Sequence, residues 1–464
     1  MISRVGLAVS RVFQRCVPDP FVIAIFLTLL TAVLALLVGD FETTPDASRL
    51  VTLLDAWRAD SGLWFFLAFG MQMCLILVTG HALASSRPVR RAIDTLAGLP
   101  RNTAQAAGLV AVVACVAALI NWGLGLIVGA LLAREVGRAL ASKGHRAHYP
   151  LICAAGYMGL LVWHGGLSGS APLSMTTIEG AAKVLPQAYV DQLGDAGIPL
   201  RETLFSGMNL AVTAGLVIGI PILLMLMAPT DPQHVRTIDD FDPPMPPVDD
   251  PVNASTPGLP DRLDSSPMVA WLIAVPLLLA IARYTQVTGL GRVGLNQVNA
   301  VMLALGLILH GSPRAYMNAV AEGARGCAGI IIQFPLYAGI MAMMAVSGLV
   351  GLTAQRFAGI GNDTTIPLLS FLAAGVVNLL VPSGGGQWGI QGPIALQTGL
   401  AAGIPPGKMI MAVAYGDQLT NMLQPFWALP LLGITGCKAR DIVGYTAVVM
   451  VFAGVWMALG LLVF

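Results

Sequence analysis

Two sets of glycine-rich breaks interrupt apolar stretches of this chain, and hydrogen-bonding side chains gather at both. In the first half Asn121-Trp122-Gly123 is followed by Trp163-His164-Gly165 and Ser168-Gly169. In the second half Asn378 is followed by Ser383-Gly384-Gly385-Gly386-Gln387-Trp388, then by Asp417, Thr420-Asn421 and Gln424. Asn, Gln, Ser, Thr and Trp form hydrogen bonds without carrying charge. Consecutive glycines after Pro382-Ser383 suit a helix tip whose backbone N–H groups face a ligand. That set of groups binds a small polar molecule; it implies no catalysis. Asp417 and His164 are its ionisable members, and an ionisable group within an apolar span is a candidate for ion coupling.

Each residue also has a plainer role. Glycines permit close helix packing, and Asn121 and Asn378 suit interhelical hydrogen bonds. Trp122, Trp163 and Trp388 suit an interfacial belt. His164 suits a satisfied buried histidine. What favours a site is the pairing. Loose backbone survives at membrane depth only when it is buried in protein or lines a cavity. Interrupted segments at corresponding points of two halves mark a transporter's binding site.

The elements that would position these residues follow from composition. The chain has 464 residues, 56% hydrophobic and 11% charged, with net charge +1. A soluble domain carries about 25% charge, so an all-α polytopic membrane protein is expected. A near-neutral chain suggests no nucleic-acid partner. Stretches 20–39, 62–86, 149–172, 203–228, 268–286, 293–311, 326–348, 409–434 and 442–463 are each near the ~20 residues needed to span. Stretches 105–133 and 366–400 fit neither one span nor two, and read as re-entrant hairpins. Arg4, Arg11 and Arg15 precede the first apolar run without a cleavage site behind it, so 20–39 reads as a helix rather than a signal peptide. Asp19 reads as its cap.

Loop charge sets the orientation. Arg4, Arg11 and Arg15 place the N-terminus in the cytoplasm, while Asp40, Glu42, Asp46, Asp55 and Asp60 place loop 40–61 outside. Arg87, Arg90, Arg91 and Arg101 lie inside, as do Arg134, Arg138, Lys143 and Arg146 of segment 134–148. Continued along the chain, this pattern gives two halves of opposite orientation, each running span, span, hairpin, broken span, span. The first inverted repeat covers 1–227, with its hairpin at about 105–133. Residues 228–267 hold ten Pro and eight Asp and read as a cytoplasmic linker. A connecting helix at 268–292 leads to the second repeat, 293–464, with its hairpin at about 366–400. The C-terminus falls on the periplasmic side. Asn121 and Gly129 recur as Asn378 and Gly386, displaced by 257 positions.

The remaining signals are weaker. Six cysteines (Cys16, Cys74, Cys115, Cys153, Cys327, Cys437) lack CxxC spacing and read as small core residues, with no metal site expected. Arg134-Glu135 reads as structural. Gly166-Leu167-Ser168-Gly169 resembles a serine-protease motif, for which His81 or His310 would have to reach Ser168. A passive channel or an exchanger remains the more serious alternative.

Longer motifs resemble the bacterial short-chain fatty acid transporter family. They include Val17-Pro18-Asp19-Pro20-Phe21, Phe69-Gly70-Met71-Gln72-Met73, Ser168-Gly169-Ser170-Ala171-Pro172-Leu173, Val381-Pro382-Ser383-Gly384-Gly385-Gly386 and Gln424-Pro425-Phe426-Trp427-Ala428-Leu429-Pro430. The resemblance implies uptake of short-chain monocarboxylates such as acetoacetate or butyrate across the bacterial inner membrane. It also implies kinship with a superfamily of inverted-repeat, elevator-type homodimers, with coupling to H⁺ or Na⁺ and no organic cofactor. His164 stands where the resemblance leads one to expect Gly, and Gln387 where it leads one to expect His.

Overall fold

The computed structural model describes all residues except 1–6, 10, 13–17, 42–47, 183–189, 191–196, 242–257, 290–294, 359–361 and 363. Among the described residues every regular element is helical. In the first half Pro20–Val38 (α1), Arg49–Arg58 (α2), Leu67–Ser85 (α3) and Arg87–Ala97 (α4) lead to Thr103–Ile120 (α5) and Trp122–Ser142 (α6). A broken helix follows, with Tyr149–Tyr157 (α7) separated by 3-10 turns from Ser170–Ser174 (α8). After the short helix Ile178–Ala182 (α9), Gly207–Met227 (α10) closes the half. Leu259–Asp264 (α11) and Pro267–Thr288 (α12) lead onward. Then come Leu295–His310 (α13), Pro313–Ala324 (α14), Ala328–Val346 (α15), Leu349–Ala358 (α16), Ile366–Asn378 (α17), Gly384–Ala401 (α18), Pro406–Thr420 (α19), Pro425–Thr435 (α20) and Ala439–Val463 (α21).

Among the described residues, seven helices are long and apolar enough to cross a membrane. Bent by 76° between its arms, the α3–α4 pair makes an eighth if it counts as one span. Nine full spans were expected from the sequence. Stretch 409–434 is two short helices, α19 and α20, and Asn296–His310 is short. Conversely, Thr103–Ile120 has the length and apolarity of a span, about 27 Å at 1.5 Å per residue. The first hairpin is therefore longer than 105–133: its arms run from Thr103 to Ser142. Glycines set how closely its antiparallel arms pack. Gly125 abuts Ala118, and a Cβ added at Gly129 would stand 2.9 Å from that of Ala114.

The two halves pack reciprocally. Helix α1 packs on α15 while α13 packs on α3; α2 packs on α15 while α14 packs on α3. Hairpin arm α5 lies along α7, and α17 lies along α19. The contact that sets the spacing recurs in both. Gly159 sits against the Ala114 carbonyl, and Gly416 against the Phe371 carbonyl, each residue displaced by 257 positions. Any side chain at either glycine would meet backbone. Asp19 caps α1 as expected, accepting from Phe21 N–H at 2.9 Å. Cys153 and Cys437 approach to 3.4 Å as free thiols, both buried.

Much of the expected linker is outside the described residues, but 228–241 is docked. Tyr149 N–H donates to the Arg236 carbonyl at 2.8 Å, and Arg236 pairs with Asp441 at 2.6 Å. The Arg236 guanidinium also stacks on Phe241, 4.5 Å from its centroid. Beside this pair, His148 Nδ1 accepts from Arg236 N–H at 3.2 Å, which leaves Nε2–H to donate to Tyr445 Oη at 2.7 Å. The first of these contacts requires a neutral ring. Burial, reinforced by the Arg236 charge, pushes the His148 pKa down to about 4 from its ordinary 6.5. The unfolded chain therefore takes up a proton that the folded chain refuses. The resulting stabilisation is complete above pH 6.5 and is lost as pH falls through about 4. Thermal unfolding of the solubilised protein should show a stability loss of about 3 kcal/mol across that interval. His148→Gln should flatten it, and an unchanged profile in that variant would assign the loss to other groups.

Candidate functional site

The broken helices α7–α8 and α19–α20 meet at their breaks. Tyr157 Oη, at the end of α7, donates to the Asn421 carbonyl at 2.9 Å and lies 3.3 Å from that of Gln424. His164 N–H, in the turns after α7, donates to Gln418 Oε1 at 3.1 Å. His164 Nε2 stands 3.3 Å from Asp417 Oδ1, with both side chains almost fully buried. Each break thus supplies partners for the other's unwound backbone.

Hairpin tips complete the cluster. Asn121 divides α5 from α6 and caps α6, its Oδ1 accepting from Leu124 N–H at 3.1 Å. Trp122 N–H donates to Ser168 Oγ at 2.9 Å, so the hydroxyl serves its own half's hairpin tip. A protease role for Ser168 finds no support in this contact, and His81 is bonded to Arg134 instead. In the second half the cap is Ser383, whose Oγ accepts from Gly386 N–H at 3.2 Å. Asn378 is the last residue of α17. Its amide donates to the Asp417 carbonyl at 2.7 Å and reaches Thr420 Oγ1 at 3.0 Å and Asn421 Oδ1 at 2.9 Å. Gln424 Nε2 donates to the Asn378 carbonyl. Asn121 and Asn378 stand 257 positions apart, but the cap of the following helix is Asn121 itself in the first half and Ser383 in the second.

The N-terminus of α18 faces the first break. A Cβ added at Gly384 would stand 2.7 Å from His164 Nε2 and 3.0 Å from the Trp163 ring. Gly385 is open, with nothing within 4 Å of an added Cβ. Gln387 turns away from the tip, its amide donating to the Ala374 carbonyl and to Gln391 Oε1, both at 2.9 Å. Gly123 is buried in the first turn of α6, and Gly165 and Gly169 serve close packing. Gly165 abuts Asn209 and Thr213 of α10, and Gly169 abuts the His164 carbonyl. Several polar atoms at the breaks are buried without a hydrogen-bond partner: Trp163 Nε1, Trp388 Nε1, Asn421 Nδ2, Asn378 Oδ1, Gln424 Oε1 and Asp417 Oδ2. Such atoms are costly to leave unmade, and three of them are donors suited to an anion. The groups hydrogen-bonded at the breaks are amides, hydroxyls and backbone, with the close His164–Asp417 contact beside them.

An aromatic wall backs the site. Trp122 meets Trp427 edge-on at 5.1 Å and Trp163 at 6.2 Å. Phe426 stacks on Phe334 of α15 at 4.1 Å. Offset and edge contacts of this kind contribute about 0.5–1.5 kcal/mol each beyond their burial.

The family model for the short chain fatty acid transporter matches residues 1–464. A protein of Escherichia coli (strain K12), provisionally named a short-chain fatty acid transporter, is 40% identical and covers 100% of both chains. A similarly named protein of Haemophilus influenzae is 38% identical over 99% of each. The chain belongs to the short-chain fatty acid transporter family. With its apolar helices, it is a multi-pass membrane protein. Among solved structures, the Alcanivorax borkumensis YdaH transporter is 17% identical, with 95% of this chain and 98% of that one covered, at a TM-score of 0.43. Neisseria gonorrhoeae MtrF, described among antimetabolite efflux pumps, is 14% identical over 98% and 96%, at 0.36.

In this transporter-family site the sequence brought forward most of the residues that meet, but not Tyr157, Gln418, Asn209 or Gln391. Asn209 donates to the Gly165 carbonyl at 3.0 Å and accepts from Tyr415 Oη at 3.0 Å. Polar residues within the apolar helices were the available signal. Tyr157→Phe removes one donor from two unwound carbonyls and should lower stability by about 1–3 kcal/mol. Thermal unfolding checks it; a change within error would mean that the breaks are held by other contacts.

Proposed function

We propose that the chain is a secondary active transporter that imports short-chain monocarboxylates such as butyrate and acetoacetate, coupled to a cation. The observation that carries this reading is the Ser383-capped start of α18, with its Gly384–Gly386 run set against His164 and Trp163. A helix N-terminus offers unpaired N–H groups and a dipole that favours a carboxylate by roughly 0.3–1 kcal/mol, more when partly buried. The indole N–H groups of Trp163 and Trp388 and the Asn421 amide add donors. Trp122 and Trp388 wall the short acyl tail. The His164–Asp417 pair is the proton-coupling group; hydroxyls and carbonyls near Asn121, Ser383 and Thr420 would serve a Na⁺ instead, since hard cations take oxygen.

In this reading the two reciprocally packed halves are inverted repeats, 1–227 and 293–464, joined by the 228–267 linker and the connecting helix. The hairpins and broken helices move as one body against a dimeric scaffold in the inner membrane, with the N-terminus cytoplasmic and the C-terminus periplasmic.

Uptake of labelled butyrate into proteoliposomes, with pH and Na⁺ gradients imposed separately, tests the function. Asp417→Asn should abolish uphill accumulation while leaving counterflow exchange; pH-driven uptake at the parental rate would remove Asp417 from coupling. A protein that equilibrates butyrate but never concentrates it would be a channel or exchanger.

Gly385 is open enough to accept a side chain without disturbing the fold. Gly385→Val should therefore insert normally yet lose butyrate binding. Trp388→Ala should weaken butyrate more than acetate, by about 0.8 kcal/mol per buried CH₂. Normal butyrate affinity in Gly385→Val would place the carboxylate elsewhere.

A further inference from the structure

Away from the breaks, a second group of ionisable side chains lies where the first hairpin packs on the other helices. Arg134 sits in the middle of α6 and is 2% exposed. Its Nε bonds Glu135 at 2.7 Å, and Arg138 Nη1 reaches the same carboxylate oxygen at 2.9 Å. Across the helix boundary, Arg134 Nη1 donates to His81 Nδ1 of α3 at 3.4 Å. Arginine has no lone pair to offer, so that contact exists only while Nδ1 is unprotonated. The ring's proton is then on Nε2, which is buried without a hydrogen-bond partner and stands 3.8 Å from Glu322 Oε2 of α14. Helix α14 presses on the ring, since a Cβ at Gly323 would lie 3.1 Å from that of His81. The charged and titratable groups facing His81 are Arg134, Arg138 and Glu135 from α6, His310 from α13 and Glu322 from α14, with Arg325 acting on Glu322. His310 is held separately, donating to the Ala82 carbonyl at 2.7 Å.

We propose that His81 and Glu322 form a proton-binding site, distinct from the one at the breaks, whose occupancy releases α6 from α3. Proton uptake at Nδ1 turns the acceptor into a donor, which ends the Arg134 bond. It also sets a cation against the guanidinium. The new imidazolium turns instead to Glu322, the carboxylate already beside Nε2. The Arg134–Glu135–Arg138 group stays intact and moves with the hairpin. The consequence for transport rests on the reading of the hairpins as the moving body; release of α6 itself does not require a substrate.

The test is amide hydrogen exchange of segment 131–138 in the full chain in nanodiscs, corrected for the intrinsic rate. It is compared at about pH 8 and about pH 5, the range over which an imidazole changes charge. The parent protein should lose protection about tenfold on acidification, the equivalent of one unit of pKa difference between the two states. His81→Gln keeps an acceptor for Arg134 but cannot titrate, and should show equal protection at both pH values. Glu322→Gln should shift the step to lower pH, because it removes the carboxylate that stabilises the imidazolium. It also serves as a separate check if His81→Gln fails to fold. Constant protection in the parent would overturn the proposal, as would an undiminished step in His81→Gln or an unshifted one in Glu322→Gln. Because no substrate is present, this outcome is independent of whether butyrate is transported.

Discussion

An interrupted helix inside an apolar layer leaves N–H and C=O groups that lipid cannot satisfy, and each costs several kcal/mol if left unmade. This chain interrupts two such helices and brings the gaps together. The Asn421 carbonyl is met by Tyr157, the Gly165 carbonyl by Asn209, the Asp417 carbonyl by Asn378 and the Asn378 carbonyl by Gln424. The His164 N–H goes to Gln418. Nearly every partner comes from a different helix, so neither break could persist without its neighbours. The close approaches at Gly159 and Gly416 follow from the same need, because the hairpin arms must lie near enough for Asn378 and its neighbours to reach. Among the atoms that remain without a hydrogen-bond partner at the breaks are buried amide, indole, imidazole and carboxylate atoms.

The cluster at the breaks has two unlike sides. His164 and Asn421 follow Asn121 and Asn378 at the same interval along the chain. In the first half that position holds an imidazole paired with Asp417 of the other half. In the second it holds an amide bonded to Asn378 of its own half. A titratable pair thus lies on one side and neutral hydrogen-bonding groups on the other, and the glycine start of α18 lies against the titratable side.

The sequence made the breaks legible because Gly, Pro and Asn in an apolar run have few other uses at that depth. It also showed the displacement of 257 positions, which the Ala114–Gly159 and Phe371–Gly416 contacts repeat. It did not reveal partners that cross between helices. Gln418 and Tyr157 look like ordinary residues of apolar helices until the other break is beside them. Charge counting assigned Arg134 and Arg138 to a cytoplasmic segment but did not show how they are held. They lie inside α6, where Glu135 neutralises them locally and His81 receives Arg134. A window of composition cannot distinguish a charge in water from one paired in the interior. The linker was read from its Pro and Asp content, which does not show that Arg236 finds Asp441 and that Ile238 packs near Gly137 and Tyr149.

The central claim is that the paired breaks bind a carboxylate through backbone and indole N–H groups rather than through a cationic side chain. Solid-state NMR dipolar recoupling between butyrate carrying ¹³C at its carboxyl and protein labelled with ¹⁵N at glycine and tryptophan measures this directly. Short carboxyl–nitrogen contacts to α18 glycine amides and to an indole nitrogen are expected, with the glycine contacts abolished in Gly385→Val. Contact of the carboxyl with arginine or lysine side-chain nitrogens alone, in protein labelled at those residues, would contradict it.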